Sequence, residues 1–335
     1  MAVTIRDVAK AAGVSATTVS KVLNHVPTIS EETCNRIHKV IEELDYHPNV
    51  RAQNFARQST RTVVFATELN KNCVFETPHI FEIMIGLQKV LQNKNYSLNV
   101  ISVTKENCMD LLGDMIAQKS IDGLVLHISI VNKELERVIL KEQFPHIVLG
   151  CPDYRTQLCW IDNNNILSGE MATTYLIERG YKRIGFLGGL KSDLGSMNRY
   201  QGYLNVMTHK RMKFVESNVA FGESLIEQGQ LLTQRILSSA QPPDAIVCAN
   251  NHLAYGAITE LLHQGKNIPK EIGLITFDAY PFTHITNPKM TTVDIDVYDM
   301  GKQAGDLILK KIRKPNLQVQ TYMTLASLMI LGSTK

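Results

Sequence analysis

The chain has 335 residues, of which 44% are hydrophobic and 20% charged, and its formal net charge is +3. That length suits two or so domains with a large core, and the composition is that of an ordinary folded protein, not a fibrous or disordered one. No stretch approaches the roughly twenty apolar residues of a membrane span, the polar start does not read as a signal peptide, and so small a net charge does not by itself point to nucleic acid.

From Thr4 to Asn24 the chain reads TIRDVAKAAGVSATTVSKVLN. Thr4 is placed to cap a first helix, with Asp7 three positions on, close to a capping box. Ile5, Val8, Ala9 and Ala12 follow at helical spacing, and Gly13 suits the left-handed residue that ends a helix. Ser15 then caps a second helix whose apolar face is Val19, Val22 and Leu23. Two short helices around a glycine turn read as helix-turn-helix, although spacing alone also fits a plain helical hairpin in a bundle. On the second helix Ala16, Thr17, Ser20 and Lys21 point away from the apolar face, where small and polar side chains can reach base edges in a major groove. Ser30 caps a third helix bearing Ile37, Val40, Ile41 and Leu44, enough to complete a small three-helix core. Residues 1–61 carry eight Lys and Arg against six Asp and Glu, so any DNA recognition depends on the arrangement of charge and not on its total.

Pro48-Asn49 is a turn signal, and Asn49 is placed to cap a short helix with Arg51, Ala52, Phe55 and Arg57. On its own residues this segment is a flexible basic linker in the free protein, since one short helix is marginal in water. From Thr62 the texture changes to short β-branched runs alternating with helical patterns. Strands are expected at 62–67, 97–103, 122–128 and 146–150, with helices near 79–93, 109–119 and 133–142. Around Trp160 to Asp162 the pattern restarts, with strands at 183–189, 214–220, 244–250 and 272–278 and helices near 166–179, 197–209, 224–239 and 252–264. The tail adds TTVDID, a helix at 298–313 and a last strand at 327–331. Strands with polar residues only at their ends suit parallel sheets covered on both faces, so the fold class is α/β, two doubly wound lobes behind a small all-α headpiece.

The runs TIRDVAK, VSATTVSKVLN and ISEETCNRIHKVIEELDYHPN closely resemble the headpiece of the lac repressor/galactose repressor family of bacterial transcription regulators, over about sixty residues. The order of parts beyond them resembles that family's core, which is like periplasmic sugar-binding proteins. The resemblance implies a DNA-binding headpiece at 1–48, a hinge at 49–61 and an effector-binding, dimerising core at 62–335. In that core, lobe 1 would be 62–162 plus 295–321 and lobe 2 would be 163–294 plus 322–335, with crossovers near Asp162, Asp294 and Thr321. Candidate DNA contacts are Thr4, Ser15, Ala16, Thr17, Thr18, Ser20, Lys21 and Asn24 in the headpiece, and Arg51, Phe55 and Arg57 in the hinge. The hinge would order only on operator DNA, where two copies from a homodimer enter the minor groove. Phe55 stands where the family usually has leucine, and phenylalanine is compatible with the same wedging role.

The carboxyl ends of both sheets would face a common cleft, where ligands of such sheets bind. Arg199, three before Gly202, and Asp278, at the end of IGLITFD, match the family's ligand-contacting arginine and aspartate. Facing each other across the cleft they would suit sugar hydroxyls or polar base edges; alternatively they form a lobe-closing ion pair without ligand. Phe221 matches an aromatic that stacks on a ring, or is a core residue. Asn250 matches the family's Ala-Asn-Asp run, with Asn251 in place of the aspartate. His127 lies where other members place polar contacts, or is a core histidine. His79 and Ile80 occupy places where many members have aromatics.

No GxxxxGK[ST], HExxH or GxSxG occurs, and GFLGGL lacks the spacing of a dinucleotide fingerprint, so neither enzyme activity nor a cofactor is expected. Cys34, Cys73, Cys108, Cys151, Cys159 and Cys248 show no CxxC or metal spacing and read as reduced thiols in a cytosol. The expectation is a cytoplasmic repressor whose partners are pseudo-palindromic operator DNA, a second copy of itself and a small effector of the sugar class. A core that answers to a partner protein, or a sugar-binding module without DNA function, are the alternatives.

Overall fold

The computed structural model describes residues 3–23, 27–47, 59–71, 79–279, 285–317 and 321–335. Two units separate, Met1–Arg61 and Thr62–Lys335. The hinge contacts expected at Arg51, Phe55 and Arg57, and the headpiece contact at Asn24, lie outside the described residues.

In the first unit the local signals act as read. Helix α1 (Ile5–Ala11) starts where the Thr4 N–H and hydroxyl both donate to Asp7 Oδ2, at 2.8 and 2.7 Å. These bonds hold the Asp7 carboxyl below its usual range. The helix ends as Gly13 turns left-handed at φ +66°, which frees Val14 N–H for Ala9 O at 3.0 Å and Gly13 N–H for Lys10 O at 3.4 Å. This pair of bonds satisfies the last carbonyls and releases the chain into the turn. Ser15 Oγ accepts from Thr18 N–H at 3.1 Å and so caps α2 (Ala16–Leu23). Helix α3 (Glu31–Glu43) follows Ser30, whose hydroxyl turns to Thr33 Oγ1 instead of capping the backbone. Val8, Ala9, Val19, Val22, Ile37 and Val40 make the small core, joined by Tyr46.

The second unit holds two sheets, each six-stranded among the described residues. The first contains β1 (Thr62–Thr67), β2 (Ser97–Ser102), β3 (Gly123–His127), β4 (His146–Leu149) and β5 (Trp160–Asn163), interleaved with α4 (His79–Gln92), α5 (Cys108–Ala117) and α6 (Lys133–Lys141). The second contains β6 (Ile184–Gly188), β7 (Val219–Phe221), β8 (Ala245–Cys248), β9 (Gly273–Phe277) and β10 (Thr291–Asp294). Its helices are α7 (Asn165–Glu178), α8 (Leu194–His209), α9 (Ile226–Leu237) and α10 (Asn251–His263). Helix α11 (Val297–Arg313) then returns to the first lobe, β11 (Thr321–Thr324) adds to the first sheet and β12 (Ser327–Met329) to the second.

The orders, β11-β5-β4-β3-β1-β2 and β12-β10-β9-β8-β6-β7, are the same winding twice. Every pairing is parallel except β10 with β12. The sheet centres are buried on both faces: Val63, Phe65, Val125 and Ile147 pack against α4 and α11, while Val64, Leu124, Leu126 and Val148 pack against α5 and α6. The second lobe repeats this with Phe186, Val247 and Ile275 on one face and Leu187, Ile246 and Leu274 on the other.

Two expectations change. The strand expected over 214–220 begins only at Val219, because Glu216–Asn218 forms a 3-10 turn around the buried Asn218. The Asn218 amide donates to Gln241 O at 2.9 Å and its oxygen accepts from Ser239 Oγ at 2.8 Å. The third passage between lobes falls at Leu325-Ala326, past the expected Thr321, since Thr321–Thr324 still pairs with β5. The other two passages follow β5 and β10. Among the described residues no helix is long and apolar enough to cross a membrane.

Candidate functional site

Two surfaces carry polar chemistry. On the first unit, Thr4, Ser15, Thr17 and Lys21 are exposed, while Ala16, Thr18 and Ser20 are half-buried. Thr17 and Lys21 are four apart on α2 and therefore neighbours on its open face. Thr18 differs from expectation: its hydroxyl lies 2.9 Å from Ser15 Oγ, within the cap, so its first duty is to the helix start.

In the second unit a cavity of about 600 Å³ lies between the lobes. The carboxyl ends of the strands build it. His127 ends β3, Asp162 and Asn163 end β5, Asn250 and Asn251 follow β8, and Asp278 follows β9. This is where a doubly wound sheet leaves its crevice.

Arg199 is the anchor of the second-lobe wall. It rides on α8 and is only 8% exposed. Its Nε donates to Asn165 Oδ1 at 2.8 Å and its Nη1 to Ala249 O at 2.6 Å, while the guanidinium lies 4.4 Å from the centre of the Phe277 ring. Helix α8 comes close because Gly169 and Gly202 let α7 and α8 touch backbone to backbone; a Cβ on Gly169 would strike Arg199 O.

Asp278 stands on the same wall. Its backbone is left-handed at φ +68°, a conformation that Asp tolerates better than most residues and that collects at functional positions. Its N–H donates to Val293 O at 3.1 Å and its carbonyl accepts from Asn251 Nδ2 at 3.0 Å. Burial pushes its carboxyl up, and Arg199 pulls the other way. Among the described residues Oδ1 is buried with no hydrogen-bond partner, and no ion pair joins Asp278 to Arg199. Since α8 and β9 both pack in the second lobe, both residues belong to it. They do not face each other across the cleft, and a lobe-closing ion pair between them is ruled out by topology.

The first-lobe wall carries imidazoles. His79 and His127 have ring centres 6.5 Å apart. His127 Nδ1 accepts from Ser129 N–H at 3.3 Å and lies 2.8 Å from Ser129 Oγ, which leaves Nε2 to carry the proton. Burial lowers both rings to about 4, helped at His79 by the charges of Arg199 and His252 and at His127 by that of His79. At neutral pH both imidazoles are thus uncharged. Asp162 accepts from Cys151 N–H at 3.2 Å and Asn163 N–H at 2.8 Å, and burial raises its carboxyl.

Of the expected effector residues, His127, Arg199, Asn250 and Asp278 line the cavity. Asn250 is already engaged: its oxygen caps α10 through Leu253 N–H at 3.0 Å, and its amide donates to Ser224 Oγ at 2.8 Å. Phe221 does not line the cavity. Its ring packs edge-on to Tyr200 at 5.1 Å and against Phe186 at 6.2 Å, which corrects its expected role as a stacking platform. Sequence reasoning passed over Asn165, which orients Arg199. The run Asn163-Asn164-Asn165, polar residues just past a strand, was the available signal.

A helix-turn-helix unit with an open polar face, on one chain with a two-lobed core around a polar cleft, defines a ligand-responsive DNA-binding transcription regulator. The family model for bacterial regulatory proteins of the lacI family matches residues 4–49, and that for a periplasmic binding protein-like domain matches residues 173–334. The chain is 30% identical over 318 residues to the NTD biosynthesis operon regulator NtdR of Bacillus subtilis, covering 92% of each. Among solved structures it is similar to a transcriptional regulator CelR–cellobiose complex, with 25% identity, TM-score 0.72 and 99% of each chain covered. It also shares the fold of the lac repressor dimer bound to operator and the anti-inducer ONPF, with TM-score 0.81, 22% identity and coverage of 100% and 99%. The chain belongs to the lacI family of bacterial regulatory proteins.

Proposed function

We propose that this chain is a repressor that binds a pseudo-palindromic operator as a homodimer and is controlled by a small, uncharged, hydroxyl-rich effector of the sugar class held in the cleft. The observation that carries the reading is the pairing, on one wall, of a buried guanidinium with a carboxylate whose Oδ1 has no partner among the described residues. Burying such an acceptor unsatisfied is costly, and a ligand hydroxyl relieves it. The facing imidazoles, neutral at physiological pH, add donors and acceptors without charge. The CelR relative, solved with cellobiose, supports the ligand class.

In this reading Thr17 and Lys21 read bases, Ala16 meets a thymine methyl, and Thr4, Ser15 and Ser20 position the helix on phosphates. Asn24, Arg51, Phe55 and Arg57 complete the contact from the residues beyond α2 and in the hinge. The effector acts by shifting the population between DNA-competent and incompetent states, to the extent that it binds one state better. A thermal-shift screen against sugars, phosphorylated sugars and nucleosides tests it. A true effector raises the melting temperature in proportion to about 3 kcal/mol at a hundredfold excess over Kd, and changes operator affinity. A response to no member of the set would sink the small-effector reading in favour of a protein partner.

A further inference from the structure

Apart from the cleft, a cavity of about 560 Å³ opens in the first lobe, with His146, Gln157, Cys159, Lys311 and Leu317 in its wall. Lys311, near the end of α11, is 6% exposed, and Cys159, just before β5, is 4% exposed. Lys311 Nζ lies 3.1 Å from Cys159 Sγ and 3.5 Å from Leu317 O. Among the described residues no carboxylate lies within ion-pair distance of it. A buried lysine is normally retained by a paired acid; this one is aimed at a thiol.

The backbone that carries the thiol is held in place. Cys159 N–H donates to His146 Nε2 at 3.0 Å, and His146 Nδ1 donates to Phe144 O at 2.7 Å, so the main chain from which the sulfur projects is anchored. Cys159 is in no disulfide. Sulfur and nitrogen are thus in contact, both buried, beside a cavity large enough for a small oxidant.

We propose that Cys159 and Lys311 form a redox modification site, which a hydroperoxide converts into a covalent sulfur–nitrogen crosslink. In the first step the sulfur attacks the peroxide: an S–O bond forms, the O–O bond breaks, and hydrogen peroxide leaves one water and a sulfenic acid. In the second step Lys311 Nζ, once its ammonium has passed a proton to solvent, attacks that sulfur with the lone pair so freed. The S–N bond forms, the S–O bond breaks, and hydroxide departs with an amine proton as a second water. The protein loses two hydrogens and the peroxide is reduced to two waters. A thiol reductant returns both side chains. The crosslink joins residues 152 apart in sequence, tying the end of α11 to the start of β5 and so bracing the first lobe.

The test uses the full chain, reduced, then exposed to hydrogen peroxide, blocked with a thiol reagent and analysed by intact mass and peptide mapping. The expected result is a species lighter by two hydrogens and one crosslinked peptide pair containing Cys159 and Lys311, both lost on treatment with dithiothreitol. Lys311→Arg keeps the charge and removes the nucleophile, so Cys159 should then stop at the sulfenic or sulfinic acid with no crosslink. The wild-type map decides the matter even if that variant folds poorly. Cys159 recovered as a labelled thiol, as a sulfinic acid beside free Lys311, or in a disulfide would overturn the proposal.

Discussion

Lys21 and Thr17 share the open face of α2, and no intramolecular ion pair among the described residues engages the Lys21 ammonium. A lysine so placed donates to guanine O6 or N7, and Lys21→Ala should relax base preference at one half-site position by about 1–3 kcal/mol. Gel shifts on a panel of single-base operator variants check this; equal weakening on every sequence would mark a phosphate contact instead. His146 makes a second prediction, on stability. The fold lowers its ring to about 4, chiefly by burial, with the nearby Lys311 charge acting the same way and the Phe144 carbonyl opposing. The unfolded chain takes up this proton first on acidification, since free histidine titrates near 6.5. Its neutral-state stability is therefore present above pH 6.5 and is lost as pH falls toward 4, by roughly 3 kcal/mol. His79 and His127 titrate in the same window, so His146→Gln, which keeps a donor and an acceptor but does not titrate, should lessen the slope of urea-unfolding stability between those pH values by its own share; an unchanged slope would contradict the assignment. At this scale the sequence showed part of the site. Arg199 and Asp278 were legible because they sit at recognisable ends of elements. That they share one lobe, that Asn165 orients Arg199 and that Phe221 packs inward depend on contacts between residues far apart in the chain.

Elements were more legible than residues, for a physical reason. Strands such as Thr62–Thr67 and Gly273–Phe277 are buried on both faces, so their apolar runs are continuous and stand out. Trp160–Asn163 alternates half-buried and buried residues and Thr321–Thr324 is largely exposed, and their strand character comes from pairing, of the first with β4 and of the two with each other, which no local pattern displays. The turn at Glu216–Asn218 was hidden likewise, since the partners of the buried Asn218 lie more than twenty residues away. The element that matters most for the cleft is the α7–α8 pair. Gly169→Ala places a methyl against Arg199 O, so α8 must shift and carry the guanidinium with it. Overpacking of this kind costs about 1–3 kcal/mol, and effector affinity should fall along with the melting temperature. A destabilised variant with unchanged effector affinity would show that α8 does not position the site. By contrast Ser15→Ala removes the cap of α2 together with the proposed phosphate contact and should cost about 1 kcal/mol of stability, with operator binding impaired and effector binding intact.

For the whole molecule the question is whether cleft and operator site communicate. Linkage requires that an effector altering operator affinity by some factor is itself altered by operator to the same factor. Trp160, the one tryptophan of the chain, is a built-in reporter. It opens β5, three residues before the first passage between lobes, and is half-buried against the first-lobe core. Relative movement of the lobes should change its surroundings even without ligand contact. A true effector should therefore shift Trp160 emission saturably and change operator affinity over the same concentration range. Asp278→Ala removes the acceptor whose Oδ1 has no partner among the described residues, and Arg199→Ala removes the buried donor beside it; each should abolish both responses while leaving operator binding without effector near the wild-type value. The control is that basal binding. If both variants lose it together with their cooperative unfolding transition, Arg199 and Asp278 serve the fold of the second lobe alone, and the effector site must be sought among the first-lobe residues that face them.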